Sequence, residues 1–95
     1  MDWKMYILVN QDIKIGKGKL AGQVGHAVAS FMYNFALDYG VEELADYMEN
    51  DQKKIILKCP QEKLEELEEN GCLTIRDKGY TQLESDTLTL SLIHI

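Results

Sequence analysis

Proline occurs once and cysteine twice in these 95 residues. Two cysteines are too few for a disulfide framework or a zinc site, so Cys59 and Cys72 read as reduced, partly buried thiols. Long apolar runs are missing as well. The stretch Met5 to Val9 is too short for a signal-peptide core or a membrane span, which makes the cytoplasm the expected location. Positive charge is scarce: ten Lys and Arg stand against sixteen Asp and Glu, a net charge of −6. That excludes a protein whose whole surface binds nucleic acid. Collagen-like and low-complexity chains are excluded by one proline and seven glycines.

What remains is 45% hydrophobic and 27% charged, the make-up of one soluble globular domain over residues 1–95. The charge is unevenly spread. Residues 1–34 carry four lysines against two aspartates, whereas residues 35–71 carry four lysines against eleven acids. A local phosphate site near the N-terminus is therefore compatible with an acidic chain.

Lys4 to Asn10 is β-branched and aromatic-rich, and reads as a strand buried on both faces at the centre of a sheet. Gln11 to Gly18 is a polar loop. Leu20, Val24, Ala27, Phe31 and Phe35 then fall on one face of a helix that ends near Gly40. Gly22, Gly25 and Ala29 form a small-residue stripe on it, which predicts close approach to another element. Val41 to Asn50 is a second, acidic helix with Val41, Leu44, Ala45 and Met48 as its buried stripe. Lys54 to Cys59 is a second strand. Pro60 fits the first position of a third helix, with Leu64 and Leu67 buried and Gly71 as its stop. The acidic run Glu62 to Glu69 reads as a solvated face. Leu73 to Arg76 is a short strand, and Asp77 to Tyr80 a turn. Thr87 to Ile95 alternates with period two, placing Leu88, Leu90 and Leu92 on one side and Thr87, Thr89, Ser91 and Ile93 on the other. The predicted order is β-α-α-β-α-β-β, an α/β fold with a four-stranded mixed sheet and helices on both faces. Its first two strands are parallel across a crossover, and its last two antiparallel.

Several residues are suited to chemistry. Gly16-Lys17-Gly18-Lys19 opens the first helix, where backbone N–H groups and two lysines attract anions. It is not a phosphate-binding Walker loop, because Leu20 follows where Ser or Thr would hold magnesium. A turn with two solvated lysines reads the same way. Lys19, Gln23 and His26 share one helix edge, although a histidine beside a packing seam is an equally plain reading. Asp77 stands at a strand end, where ligands sit in α/β sheets, with Thr81 and Thr89 further on. Asp is also ordinary at turns, and Thr in strands. His94 is given no role.

The segment from Gln11 to Ala27, with Asp12, Gly16-Lys17-Gly18-Lys19, Gln23 and His26-Ala27, resembles the signature of the type 2 peptidyl-tRNA hydrolases of archaea and eukaryotes. Ile75-Arg76-Asp77-Lys78-Gly79-Tyr80-Thr81-Gln82 resembles the same family's second signature, and Thr89 falls at its later threonine. The resemblance runs from Met5 to Leu92. It implies a cytoplasmic enzyme of translation that hydrolyses the ester between a peptide and the 3′ end of tRNA, recycling the tRNA. It also implies no metal or organic cofactor, contact with the acceptor end of peptidyl-tRNA, no membrane, and a possible homodimer. By residue match, Lys19, Asp77, Thr81 and Thr89 fall at active-site positions. Lys14, Lys17, Gln23, His26 and Gln82 fall where substrate is held. Tyr80 stands in place of the family's usual arginine, and Glu84-Ser85-Asp86 in place of a neutral turn, which lowers the positive potential. Such an ester hydrolysis needs an oriented water and a stabilised oxyanion. An ion pair between Lys19 and Asp77 would hold the carboxylate charged and weaken it as a base, which favours orientation and electrostatics. The rival reading is a non-catalytic binding or regulatory module on the same fold. In either case a small basic patch of Lys14, Lys17 and Lys19, joined by Lys78, is expected.

Overall fold

The computed structural model describes residues 4–77 and 86–94. The elements are β1 (Met5–Asn10), α1 (Lys17–Tyr39), α2 (Glu42–Glu49), β2 (Lys54–Cys59), α3 (Gln61–Glu69), β3 (Leu73–Asp77) and β4 (Thr87–His94). This is the expected order. The sheet runs β2-β1-β4-β3, with β1 parallel to β2 and antiparallel to β4, and β3 antiparallel to β4. The apolar β1 is interior, as its composition predicts.

Two hydrophobic clusters cover the two faces. On one, α1 and α2 pack Ala27, Phe31, Leu44 and Tyr47 against Met5, Ile7, Val9, Ile75, Leu90 and Leu92. On the other, α3 packs Leu64 and Leu67 against Cys59 and Leu88. The spacing of Leu20, Val24, Ala27, Phe31 and Phe35 does mark the face of α1 that meets the sheet. The helix stops at Gly40, whose φ of 90° suits glycine and whose N–H donates to the Ala36 carbonyl at 2.9 Å.

Four expectations are corrected. The Gly22 and Gly25 stripe is exposed, and among the described residues a Cβ built at either position meets nothing within 4 Å. Close approach to the sheet falls instead to Ala27, on the opposite side of the helix. In α2 the buried pair is Leu44 and Tyr47, while Val41 and Met48 are exposed. The Tyr47 ring has more apolar surface to bury than either, and it turns the helix toward the core. Pro60 is the N-cap of α3 with extended backbone, one residue outside the helix.

The fourth correction concerns β4. Ile75 pairs with Leu90 but Arg76 with Leu88, so Thr89 is an extra residue in the ladder. This β-bulge breaks the period of two. Leu90 and Leu92 pack on the α1 side, and Leu88 on the α3 side.

Candidate active site

Three elements converge beside the start of α1. Lys19 lies in its first turn, which is closed by the Leu20 N–H donating to the Gly16 carbonyl at 2.9 Å. Asp77 is the last residue of β3 and is buried, with 2% of its side chain exposed. The Lys19 ammonium pairs with the Asp77 carboxylate. A carboxylate taken this far out of water needs such a partner, since burying an unpaired charge costs several kcal/mol, on the order of 3–5.

The bulge brings in the third member. Thr89 is fully buried, and its Oγ1 lies 2.9 Å from the Gln23 side-chain carbonyl oxygen and 2.9 Å from the Ile75 carbonyl. One hydroxyl proton serves only one acceptor at a time. The Gln23 amide turned end for end would donate to Oγ1 and leave the hydroxyl to donate to Ile75. Gln23 sits one helical turn beyond Lys19, so a single edge of α1 presents the cation and the amide to β3 and β4.

The β1–α1 loop is fixed from below. Buried Asn10 donates from Nδ2 to the Leu88 carbonyl at 2.9 Å and to Gln61 Oε1 at 3.2 Å, and its Oδ1 accepts from the Asp12 N–H at 2.8 Å. Asp12 Oδ2 accepts from the Gln61 N–H at 2.8 Å. Asp12 thus caps α3 from another part of the chain, satisfying a donor that Pro60 leaves unmet. The Gln11 N–H extends the sheet to the Cys59 carbonyl at 2.9 Å.

Arg76 fastens the far side. It forks onto Glu68, from Nε to Oε2 at 3.0 Å and from Nη2 to Oε1 at 2.7 Å, and donates from Nη1 to the Asp86 carbonyl at 2.7 Å. Asp86 has a φ of 70°, and its N–H donates to the Asp77 carbonyl at 2.5 Å. The two ends of the segment after Asp77 are thereby tied together. The Arg76 hydrogen bonds hold the Glu68 carboxyl below its usual range, with Thr74 Oγ1 donating at 2.9 Å as well. The same Glu68 bonds raise the Arg76 guanidinium further. Glu68 is the exception to the expected solvated acidic face.

Of the other residues expected at the site, Lys14, Lys17 and His26 are exposed. Lys17 is the first residue of α1, and His26 follows Gln23 on the same helix edge. Thr81 and Gln82 lie outside the described residues, as do Lys78 and Tyr80. Residue type and spacing assign no supporting role to Asn10, Asp12 or Glu68, since only the tertiary structure reveals their partners. Cys59 and Cys72 are free thiols, and burial pushes the Cys59 thiol up. Among the described residues no three His, Cys, Asp or Glu side chains converge as metal ligands would. No described helix is long and apolar enough to cross a membrane.

Residues 3–94 match the family described as Peptidyl-tRNA hydrolase PTH2. The chain is 39% identical over 93 residues to a peptidyl-tRNA hydrolase of Haloquadratum walsbyi, covering 90% of this chain and 80% of the relative. It is 38% identical over 95 residues to one of Methanopyrus kandleri, covering 92% and 79%. It is 33% identical over 93 residues to one of Methanocaldococcus jannaschii, covering 90% and 80%. The motif loop and helix, the carboxylate at the end of β3 and this breadth of similarity place the chain in the peptidyl-tRNA hydrolase PTH2 family.

Proposed function

We propose that the chain hydrolyses the ester joining a peptide to the 3′ end of tRNA, and so returns tRNA to translation. The observation that carries the reading is the buried Asp77 carboxylate paired with Lys19, with the Thr89 hydroxyl held at Gln23 one helical turn along α1. In this reading Asp77 orients a water against the ester carbonyl. Lys19 offsets the negative charge that develops on the carbonyl oxygen, or binds the terminal phosphate. The acyl–oxygen bond breaks, the ribose oxygen leaves as the hydroxyl, and the peptide leaves as the carboxylate. Pairing with an ammonium keeps Asp77 charged, so its part is orientation and electrostatics more than strong base catalysis.

Thr89, held by Gln23 and Ile75, supplies a fixed hydroxyl at the same edge. Thr81 joins the catalytic set by residue match, and Gln82 joins the substrate contacts in the same way. Lys14, Lys17, Gln23 and His26 complete those contacts along the loop and helix edge. The acceptor end of peptidyl-tRNA is the partner, without a metal or organic cofactor, and the cytoplasm is the location. Residues 1–95 act as one domain. A non-catalytic module is the weaker reading, because it has no use for a buried carboxylate held against a cation at a strand end. Incubating the pure protein with peptidyl-tRNA and following peptide release tests the proposal. Release at a rate proportional to enzyme is expected, and its absence would overturn the reading.

A further inference from the structure

Strand β2 ends the sheet, and among the described residues β1 alone pairs with it. In a parallel pair every second residue turns its backbone groups to the neighbour. Here the Met5 N–H donates to the Lys53 carbonyl at 3.1 Å, and the Gln11 N–H to the Cys59 carbonyl at 2.9 Å. With Met5 beside Lys54 and Asn10 beside Cys59, residues 55 and 57 bond to β1 in the same way. Lys54, Ile56 and Lys58 therefore direct their N–H and C=O groups outward, where no described residue bonds to them. The same three residues share a face. They stand beside Met5, Ile7 and Val9, whose side chains lie in the core with α1. The helix crosses β3 and β4, so Ile56 is left 55% exposed and both lysines are exposed. On the opposite face Leu57 is 46% exposed. The Lys54 ammonium is steadied by the Gln52 carbonyl at 3.1 Å and by the Tyr47 ring, 5.2 Å away. Among the described residues neither Lys54 nor Lys58 meets a carboxylate.

We infer that β2 takes up, as an added strand, an extended segment of a partner protein with two acidic residues four positions apart and apolar residues between them. The open backbone of β2 alternates donors and acceptors, and another peptide strand matches both. RNA does not, because its phosphates only accept hydrogen bonds and would face the outward carbonyls as well as the N–H groups. Residues directly opposite each other on paired strands interact through their side chains. The partner residues opposite Lys54 and Lys58 are therefore acidic, and the one opposite Ile56 is apolar. Those flanking it lie over Leu57 and Ile55 on the other face. A second copy of this chain fits poorly. Antiparallel pairing of two copies about Ile56 sets Lys54 of each opposite Lys58 of the other, and like charges so placed repel. Lysines on an open edge oppose self-pairing in this way. Asp77 belongs to β3, the opposite edge of the sheet, so an occupant of β2 leaves the Lys19–Asp77 pair open. The inference does not depend on the hydrolase reading.

The probe is a capped pentapeptide with glutamate at both ends and valine between, compared with one that carries lysine at both ends. Amide hydrogen exchange followed by NMR reads where it binds. The glutamate peptide should slow exchange at Lys54, Ile56 and Lys58 and change little at Ile55 and Leu57, whose N–H groups already bond to β1. A calorimetric titration reads the charge preference. The double variant Lys54→Glu with Lys58→Glu should bind the glutamate peptide roughly tenfold more weakly and the lysine peptide more tightly. Its rate of peptide release from peptidyl-tRNA should match the wild type, because the substitutions lie at the far edge of the sheet. A wild type that does not bind the glutamate peptide overturns the inference, and so does binding without the alternating protection. Equal affinity for the two peptides removes the acidic partner. Protection at these amides that grows with protein concentration alone, with a dimer in sedimentation, assigns the edge to a second copy instead. Protection by a single-stranded RNA in place of the peptide assigns it to nucleic acid.

Discussion

Lys19 and Asp77 meet as an ion pair in which the lysine side chain is 14% exposed and the carboxylate 2%. One comes from the first turn of a helix and the other from the end of an edge strand. Removing either side leaves a poorly solvated charge without this partner. Asp77→Asn and Lys19→Ala should therefore each reduce peptide release tenfold or more, as the loss of a group acting on the transition state does. The double variant should be little worse than the poorer single one, because the two act as a unit. Circular dichroism on each variant checks that the fold persists. Additive losses in the kinetics would separate the two residues in the mechanism.

Thr89 fills a fully buried bulge position. Thr89→Val keeps the shape but leaves the Ile75 carbonyl without its hydroxyl donor. A cost of about 1–3 kcal/mol in a denaturant titration is expected, together with slowed peptide release below the unfolding transition. Thr89→Ser keeps the hydroxyl and should retain most of the rate. A serine variant that loses as much as the valine variant would mean that the hydroxyl alone does not account for the role of Thr89.

Asp12 joins the β1–α1 loop to the start of α3. Asp12→Ala should destabilise the fold by about 1 kcal/mol, the usual cost of a lost helix cap. It should also raise KM, because Lys14 and Lys17 lie in and beyond the loop it anchors. Gln61→Ala retains the backbone N–H that Asp12 caps and should have a smaller effect. A chemical melt of the pair gives the stability ranking, and a larger loss in Gln61→Ala would contradict it.

The Arg76–Glu68 fork sets a pH dependence. Glu68 is held below its usual carboxylate range when folded, so the unfolded chain takes up its proton at a higher pH. Its stabilisation is fully present above the ordinary carboxylate value, about 4.3. It is lost as pH falls through the depressed folded value. The side chains are 39% and 35% exposed, so solvent screening limits the contribution to about 1 kcal/mol or less. The stability gap between the wild type and Glu68→Gln should be constant near neutrality and close as pH drops below about 4. A gap that persists in acid would assign the effect to packing instead of charge.

The element order and the sheet-facing stripe of α1 are local matters. Leu20, Val24, Ala27 and Phe31 encode a helix face by spacing alone, and Gly40 encodes its end through a backbone angle that few other residues tolerate. The motif loop and Asp77 are also legible, since residue type and order carry them. Patterning misleads where a long-range partner decides. Gly22 and Gly25 suggest a packing seam, yet among the described residues nothing lies within 4 Å of a Cβ built at either. Glu68 looks like one more solvated acid until Arg76 crosses from β3 to bind it. Strict alternation in β4 would put Thr89 on the same side as Ser91, away from α1. The bulge opposite Ile75 and Arg76 instead carries it to Gln23. A bulge depends on how two strands register under the constraint of both cores, and neither strand holds that information alone. The sequence by itself therefore determined which groups are available for chemistry. Tertiary structure decided which of them share one edge of α1, because only folding fixes the distance between charges that lie far apart along the chain.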